Sequence, residues 1–382
     1  NEGKLHEGQW YLHLVADDTA GNLTAGTTIP FIVDLTNPEA DETVINTAST
    51  VDRTGLFNMT VTAEDTNALK NVTIVQKRNG TGDVTICNID YTTEKDETIT
   101  LIGLPHTNSS NTSVAIDGSA DGLYTYDITL TDFADKKHTI TRSVRFDTQA
   151  PVISNVVYPP SAYLNLPSNY TYRVTGTASD EALGSALNDV RYVILDGNND
   201  TIPAASDASW KPVAGLGSWT VNADMSDKVS GVYSLYIMAR DNAGNSTVTA
   251  KKLVYADLQS PVLTDIVVSA NTVFNGNFTI NGNASDPDGY LQKVTAHYTG
   301  LLTPVELPLT GAAWSYPVPI ATSALEEGNY TLTITAFDES GKTAVETKTF
   351  TVDKTAPSIS YSNINEAGTT SLTETSPKVY GS

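Results

Sequence analysis

Apolar and polar residues alternate along most of the chain, and one alternating run is written four times. The copies are Gly8-Gln-Trp10-Tyr-Leu12-His-Leu14-Val-Ala16-Asp-Asp18, Gly122-Leu-Tyr124-Thr-Tyr126-Asp-Ile128-Thr-Leu130-Thr-Asp132, Gly231-Val-Tyr233-Ser-Leu235-Tyr-Ile237-Met-Ala239-Arg-Asp241 and Gly328-Asn-Tyr330-Thr-Leu332-Thr-Ile334-Thr-Ala336-Phe-Asp338. In each, an aromatic stands two residues after Gly, apolar residues follow at steps of two, and Asp closes the run. Period two predicts a half-buried β-strand, not a helix. A second kind of run, ending Ala-x-Asp, recurs as Phe57 to Asp65, Tyr170 to Asp180 and Phe278 to Asp286. Third strands are predicted at Val190 to Leu195 and Val294 to Tyr298, and a last one at Lys348 to Asp353. No stretch sustains a 3.6-residue apolar period, so the chain reads as all-β.

The unit of repetition is large. Asp-x-x-x-Pro follows each copy of the first run, at Asp34 with Pro38, Asp147 with Pro151, Asp257 with Pro261 and Asp353 with Pro357. The prolines are 113, 110 and 96 residues apart. Self-similarity at about 100 residues means an array of domains, each long enough to bury a core of its own. About seven short strands per unit, with a Tyr opening the penultimate strand, predict tandem immunoglobulin-like β-sandwich domains arranged end to end. The expected divisions are 35–147, 148–257 and 258–353 for three complete domains. Residues 1–34 would hold the last two strands of a truncated repeat, and 354–382 the opening of a further one. The two partial ends could complement one another between subunits and make a polymer, although together they are shorter than any internal unit.

These motifs resemble the Ig-like repeats of bacterial and archaeal cell-surface proteins and adhesins, marked by Gly-x-Tyr, then Asp-x-x-Gly-Asn, then Val-Asp-x-Thr-x-Pro. Asp241-Asn-Ala-Gly-Asn245 and Val352-Asp-Lys-Thr-Ala-Pro357 fit that pattern, and Asp18-Thr-Ala-Gly-Asn22 with Val33-Asp-Leu-Thr-Asn-Pro38 nearly so. The second copy departs from it: Asp132-Phe-Ala-Asp-Lys136 lacks the Gly, and Phe146 stands in place of Val. The resemblance covers the whole chain and implies an extracellular location at the cell surface and a structural role: a stalk, an adhesin, or a component of an envelope layer or sheath. Expected partners are neighbouring repeats, self-assembly into a layer or filament, and a glycan or receptor.

Composition narrows the partners. A net charge of −22 repels phosphate backbones and anionic lipid, so no nucleic-acid partner is expected, a membrane surface is a poor candidate and cations are good ones. No 18-residue apolar run exists, and no direct membrane insertion is expected. The single cysteine, Cys87, has no internal partner, so the cores must hold the sandwiches alone; it sits in a strand-like run and is expected as a buried, inert thiol.

Strand order predicts where the recurring aspartates meet. In such a sandwich the ends of the second and penultimate strands lie at the pole where the chain enters, beside the linker from the preceding domain. Asp34, Asp65 and Asp132 should therefore converge, as should Asp147, Asp180 and Asp241, and Asp257, Asp286 and Asp338; Glu64, Glu181 and Asp288 could join them. Two carboxylates about 5 Å apart repel by about 3 kcal/mol at an effective dielectric near 20. Ca²⁺, which takes six to eight oxygens, is the natural remedy and would stiffen the joints; the resemblance, through related adhesin and cadherin-like arrays, implies the same. Asp at a strand end also forms Asx turns, and that reading stands beside the metal one. Likewise, Asp-x-x-x-Pro can be a stiff linker and nothing more.

Twelve Asn-x-Ser/Thr sequons occur, at Asn22, Asn58, Asn71, Asn79, Asn108, Asn111, Asn169, Asn199, Asn245, Asn277, Asn283 and Asn329. Chance predicts about six from 28 Asn and 84 Ser plus Thr, so N-glycosylation is a candidate modification. No catalytic motif is recognisable: His6-Glu lacks a second His at zincin spacing, and there is no nucleophile elbow or phosphate-cradling loop. No enzymatic activity is expected. The alternative to a structural role is a carbohydrate-binding or enzyme-accessory module, which would need exposed aromatics; Trp210, Trp219, Trp314 and Tyr298 are the candidates.

Overall fold

The computed structural model describes all residues except 1–2, 46–50, 54–56, 94–95, 111, 269–271, 321–324 and 359–382. Asn111 and most of the expected further repeat lie outside the described residues. Two compact units divide the chain, Asn1–Leu258 and Gln259–Ser382. Among the described residues every regular element is a strand, and no helix is long and apolar enough to cross a membrane.

The first unit opens with an antiparallel ribbon of β1 (Gly8–Leu14) and β2 (Thr27–Val33), in which Trp10 faces Phe31 and Leu12 faces Ile29. Next come β3 (Glu39–Ile45), β4 (Val51–Asp52), β5 (Phe57–Glu64), β6 (Leu69–Arg78), β7 (Val84–Asp90), β8 (Asp96–Leu104), β9 (Gly122–Asp132) and β10 (Lys137–Phe146). They form two sheets, β3-β5-β8 and β4-β10-β9-β6-β7.

The same arrangement returns in β11 (Val152–Val157), β12 (Tyr163–Asn165), β13 (Thr171–Ser179), β14 (Leu187–Asp196), β15 (Lys211–Pro212), β16 (Ser218–Asp224), β17 (Gly231–Asp241), β18 (Ser246–Val248) and β19 (Lys252–Asp257), as β11-β13-β16 and β12-β19-β17-β14-β15. The second unit repeats it with β20 (Val262–Val268), β21 (Val273–Phe274), β22 (Phe278–Ser285), β23 (Leu291–Tyr298), β24 (Val305–Leu307), β25 (Leu309–Thr310), β26 (Ala313–Val318), β27 (Gly328–Asp338) and β28 (Thr343–Val352). Its sheets are β20-β22-β26-β25 and β21-β28-β27-β23-β24.

This strand order is the immunoglobulin-like one. The first strand is split: β3, β11 and β20 pair antiparallel in one sheet, while the short β4, β12 and β21 cross over and pair parallel to the last strand of the other. A register shift interrupts the first strand before each crossover, and Asn155 and Asp265 occupy the left-handed region there, with φ of 51° and 54°. Asn and Asp tolerate that conformation better than other residues with a side chain.

Alternation along the strands builds the cores. Phe57, Met59, Val61 and Ala63 of β5 face Tyr124, Tyr126, Ile128 and Leu130 of β9, and separate clusters of the same kind fill the other two sandwiches. Each fully buried Val, Leu, Ile or Phe contributes about 1.5–3 kcal/mol. The second sandwich breaks the alternation: Tyr236 and Met238 on the outer side of β17 are buried too, because the segment before β15 folds back and lays Trp210 over them and Val193. Cys87 is half-buried against the first core, not fully enclosed as expected, and burial pushes its thiol pKa up. It lies near the edge of the sheet, on β7, where the core covers one side only.

Candidate metal centre

The recurring Asp at the end of the penultimate strand is first of all a turn residue. Oδ1 of Asp18, Asp132, Asp241 and Asp338 accepts the main-chain N–H four residues on, from Asn22, Lys136, Asn245 and Lys342. Asp65 works the same way at the end of β5, its Oδ1 taking the N–H groups of Asn67 and Ala68 at 2.8 and 2.9 Å. One oxygen per aspartate thus closes a turn. Its second oxygen is left over, and the fold determines what that oxygen meets.

At the leading pole of the first sandwich, Asp34, Asp65 and Asp132 come together, one oxygen of each within 4.8 Å of the others. Asp34 arrives from the linker after β2, Asp65 from the end of β5 and Asp132 from the end of β9. The latter two are 6% and 0% exposed, and their Oδ2 atoms are buried with no donor. Burial pushes the Asp65 carboxyl up, and the charges of Asp34 and Asp132 add to that. Lys136 Nζ stands 3.2 Å from Asp34 Oδ1. Glu64 is exposed and outside the trio, on an open acidic cleft that it lines with Glu39, Asp96 and Asp65 itself.

At the leading pole of the second sandwich, Asp147, Asp180 and Asp241 meet in the same way, and a second trio, Asp121, Asp147 and Glu181, shares Asp147 with it. Asp147 is held by Ser185 N–H at 2.6 Å and Gln149 N–H at 3.2 Å, and Asp241 by the main-chain and side-chain N–H groups of Asn245. Both oxygens of Asp180 are buried without an N–H or hydroxyl donor. The Asp180 and Glu181 carboxylates close over Gly184, where a Cβ would stand 2.6 Å from Asp180 Oδ2 and 2.7 Å from Glu181 Oε1. Burial and the adjoining Asp180 push the Glu181 carboxyl up to about 8, so near neutral pH it retains a proton that it can donate to Asp180. Burial likewise raises Asp241, with the Asp147 charge contributing.

The third group is divided between the units. Asp257 ends β19 of the first; Asp286 and Asp338 belong to the second, where Asp286 Oδ1 takes Asp288 N–H at 2.8 Å and Asp338 Oδ1 takes Ser340 N–H at 2.9 Å. Asp288 accepts Gln259 N–H within the second unit.

Sequence reasoning missed Asp121 and Lys136. Asp121 precedes the recurring Gly, at the place held by Glu7, Ser230 and Glu327 in the other copies. All four side chains catch the linker that leaves the last strand: Glu7 accepts Thr36 Oγ1, Asp121 accepts Thr148 N–H and Oγ1, Ser230 accepts Leu258 N–H, and Glu327 accepts Lys354 N–H. The signal was an oxygen-bearing residue before each Gly.

The sequons sort by what their amides do. Asn245 Nδ2 donates to Asp147 O, Gln149 O and Asp241 Oδ2, and Asn71 Nδ2 to Asn88, Ile89 and Asp90. Asn22 and Asn283 donate to Asp18 and Asp265. Asn58 is half-buried with Oδ1 accepting Gly103 N–H, Asn199 is half-buried, and Asn79, Asn108, Asn169, Asn277 and Asn329 are exposed. Trp210, Trp219, Trp314 and Tyr298 are all buried and present no ring face to solvent.

No protein-family model and no curated protein matches the chain. Among solved structures, the chain is similar to a tetra-tandem repeat in the extending region of a large adhesion protein, at 17% identity, covering 92% of this chain and 83% of that one with a TM-score of 0.36. A 1.5-MDa bacterial ice-binding adhesin studied for host cell surface retention is similar at 18% identity over 84% of this chain and 98% of that one, with a TM-score of 0.31. The protocadherin GammaB4 extracellular domain is similar at 13% identity over 90% and 56%, also at 0.31. The immunoglobulin-like assignment rests on the strand order of the chain itself.

Proposed function

We propose that the chain is a structural segment of a large extracellular surface protein of the adhesin kind, in which sandwiches space or display other parts, and that Ca²⁺ bound by the acidic trios stiffens the joints. The observation that carries this reading is the pair of buried, donorless oxygens of Asp65 and Asp132 beside Asp34. A buried carboxylate oxygen without a partner costs several kcal/mol unless a cation or proton compensates it. The linker aspartates Asp34 and Asp147 come from the preceding unit of the repeat, so a cation at either trio ties that linker to the next sandwich. Six to eight oxygens complete a Ca²⁺ shell, and three carboxylates with carbonyls and water supply them at affinities of about 10⁻⁴ to 10⁻³ M. Neighbouring repeats are then the first partners, and the exposed sequons are candidates for N-glycans on the outer faces. The carbohydrate-binding alternative loses its support with the burial of its four aromatics.

Calorimetric titration of Ca²⁺ into chelator-stripped protein, with small-angle scattering before and after, tests the reading. Binding heat and a narrower distribution of dimensions with Ca²⁺ are expected. No heat and identical scattering would refute it.

A further inference from the structure

Four residues after the Asp that closes the penultimate strand, the chain alternates between two residue types: Asn22, Lys136, Asn245, Lys342. All four main-chain N–H groups do the same thing, as described above, but the side chains differ. Asn245 Nδ2 donates to the main-chain O of the linker residue Asp147 at 3.1 Å, and to Asp241 Oδ2 at 3.0 Å, bringing donors but no charge. Lys136 Nζ donates to the corresponding linker carbonyl, that of Asp34, and stands 3.2 Å from the Asp34 carboxylate, whose side chain is only 8% exposed. It therefore sets a full positive charge against the first trio. Arg53 and Arg145, which reach the turns beside the second trio, donate to the carbonyls of Gly244, Leu183 and Gly184.

We propose that this one position determines how strongly each trio takes a divalent cation: asparagine leaves the whole negative charge to the metal, and lysine supplies part of the counter-charge from the chain itself. The proposal rests on the reading of the trios as cation sites. Lysine does not saturate the first trio, because Asp65 and Asp132 still carry the buried, donorless oxygens noted above. An ammonium and a divalent ion sharing one carboxylate repel each other, so the first site is the weaker of the two. Lys342 stands at the same position in the second unit, where its Nζ donates to Ser340 Oγ at 3.0 Å. A repeat array built this way mixes joints that respond to Ca²⁺ with joints that respond less, and one codon at each repeat chooses between them.

The test is Ca²⁺ calorimetry on the full chain as wild type, Lys136→Asn and Asn245→Lys, with circular dichroism to check folding. Lys136→Asn is expected to tighten one equivalent at least tenfold, and Asn245→Lys to weaken the tightest class at least tenfold. Lys136→Met, which keeps the apolar stem and removes the charge, must also tighten binding, and it serves if the asparagine variant does not fold. Wild-type binding with isotherms unchanged in the Lys136 variants would overturn the proposal and leave the cation reading standing. No binding heat in any of the proteins would overturn both.

Discussion

The indole of Trp219 lies against the α-carbon of Gly176, so close that a Cβ there would stand 2.2 Å from ring atom Cζ2. The pair faces across β13 and β16, and Trp314 meets Gly282 in the same way, at 2.4 Å, in the second unit. A methyl at Gly176 must displace the ring, and overpacking of this kind costs about 1–3 kcal/mol. Gly176→Ala is therefore expected to lower stability by that amount. Gly217→Ala, where an added methyl meets nothing nearer than Ala178 O at 3.9 Å, should change it little. Equal denaturant midpoints for the two variants would remove the packing argument.

The recurring aromatic fastens the start of each penultimate strand. Tyr124, Tyr233 and Tyr330 donate their hydroxyls to the carbonyls of Ala120, Val229 and Glu326, four residues earlier, and Trp10 does the same with its indole N–H toward His6. A hydrogen bond of this sort contributes about 0.5–1.5 kcal/mol. Tyr124→Phe and Tyr233→Phe should each lose that much in urea unfolding, and Tyr330→Phe less, because its ring is more exposed. No loss in the first two would show the contact to be incidental.

Stability without Ca²⁺ should fall as pH rises. The Glu181 carboxyl is pushed up to about 8 in the folded chain against an ordinary 4.5. A raised group contributes stability that is fully present below its unfolded pKa and lost as pH climbs through the folded one, here from 4.5 toward 8. Asp65 and Asp241 are shifted in the same direction. In chelator the melting temperature is expected to be higher at pH 5 than at pH 8, and Glu181→Gln should flatten the difference. Ca²⁺ competes with the protons and should flatten it as well. A melting temperature that rises with pH in chelator would contradict this account.

Glycan occupancy should follow the amides, not the sequon count. In a host that glycosylates secreted proteins, the exposed Asn79 and Asn108 are expected to be modified. Asn245 and Asn71, whose amides each make four hydrogen bonds inside the fold, should remain bare. Site-resolved mass spectrometry of the secreted chain decides it, and a glycan on Asn245 in folded protein would rule out the arrangement around Asp147.

Much of the fold was legible in the chain because a strand's periodicity is local. Alternation at Gly122 to Asp132 needs no distant residue to be read, and the penultimate strand, the turn aspartates and the aromatic corner all follow from spacings of ten residues or fewer. Two features escaped. The buried outer side of β17 depends on Trp210 folding back from a distant segment, and the crossover of the first strand depends on the last strand being there to receive it. The aspartates were read as either turn formers or metal ligands, whereas in Asp65 and Asp132 one oxygen closes the turn and the other is buried without a donor.

The amino-acid sequence alone determined the strands, their faces and the repeat, since these rest on side-chain alternation and backbone preference within a few residues. Only the tertiary structure decided which oxygens meet, that Asp121 shares Asp147 with Glu181, and that Lys136 reaches Asp34 across 102 positions of chain. Charge and burial act through space, and their sum at one point is set by every segment that the fold brings there.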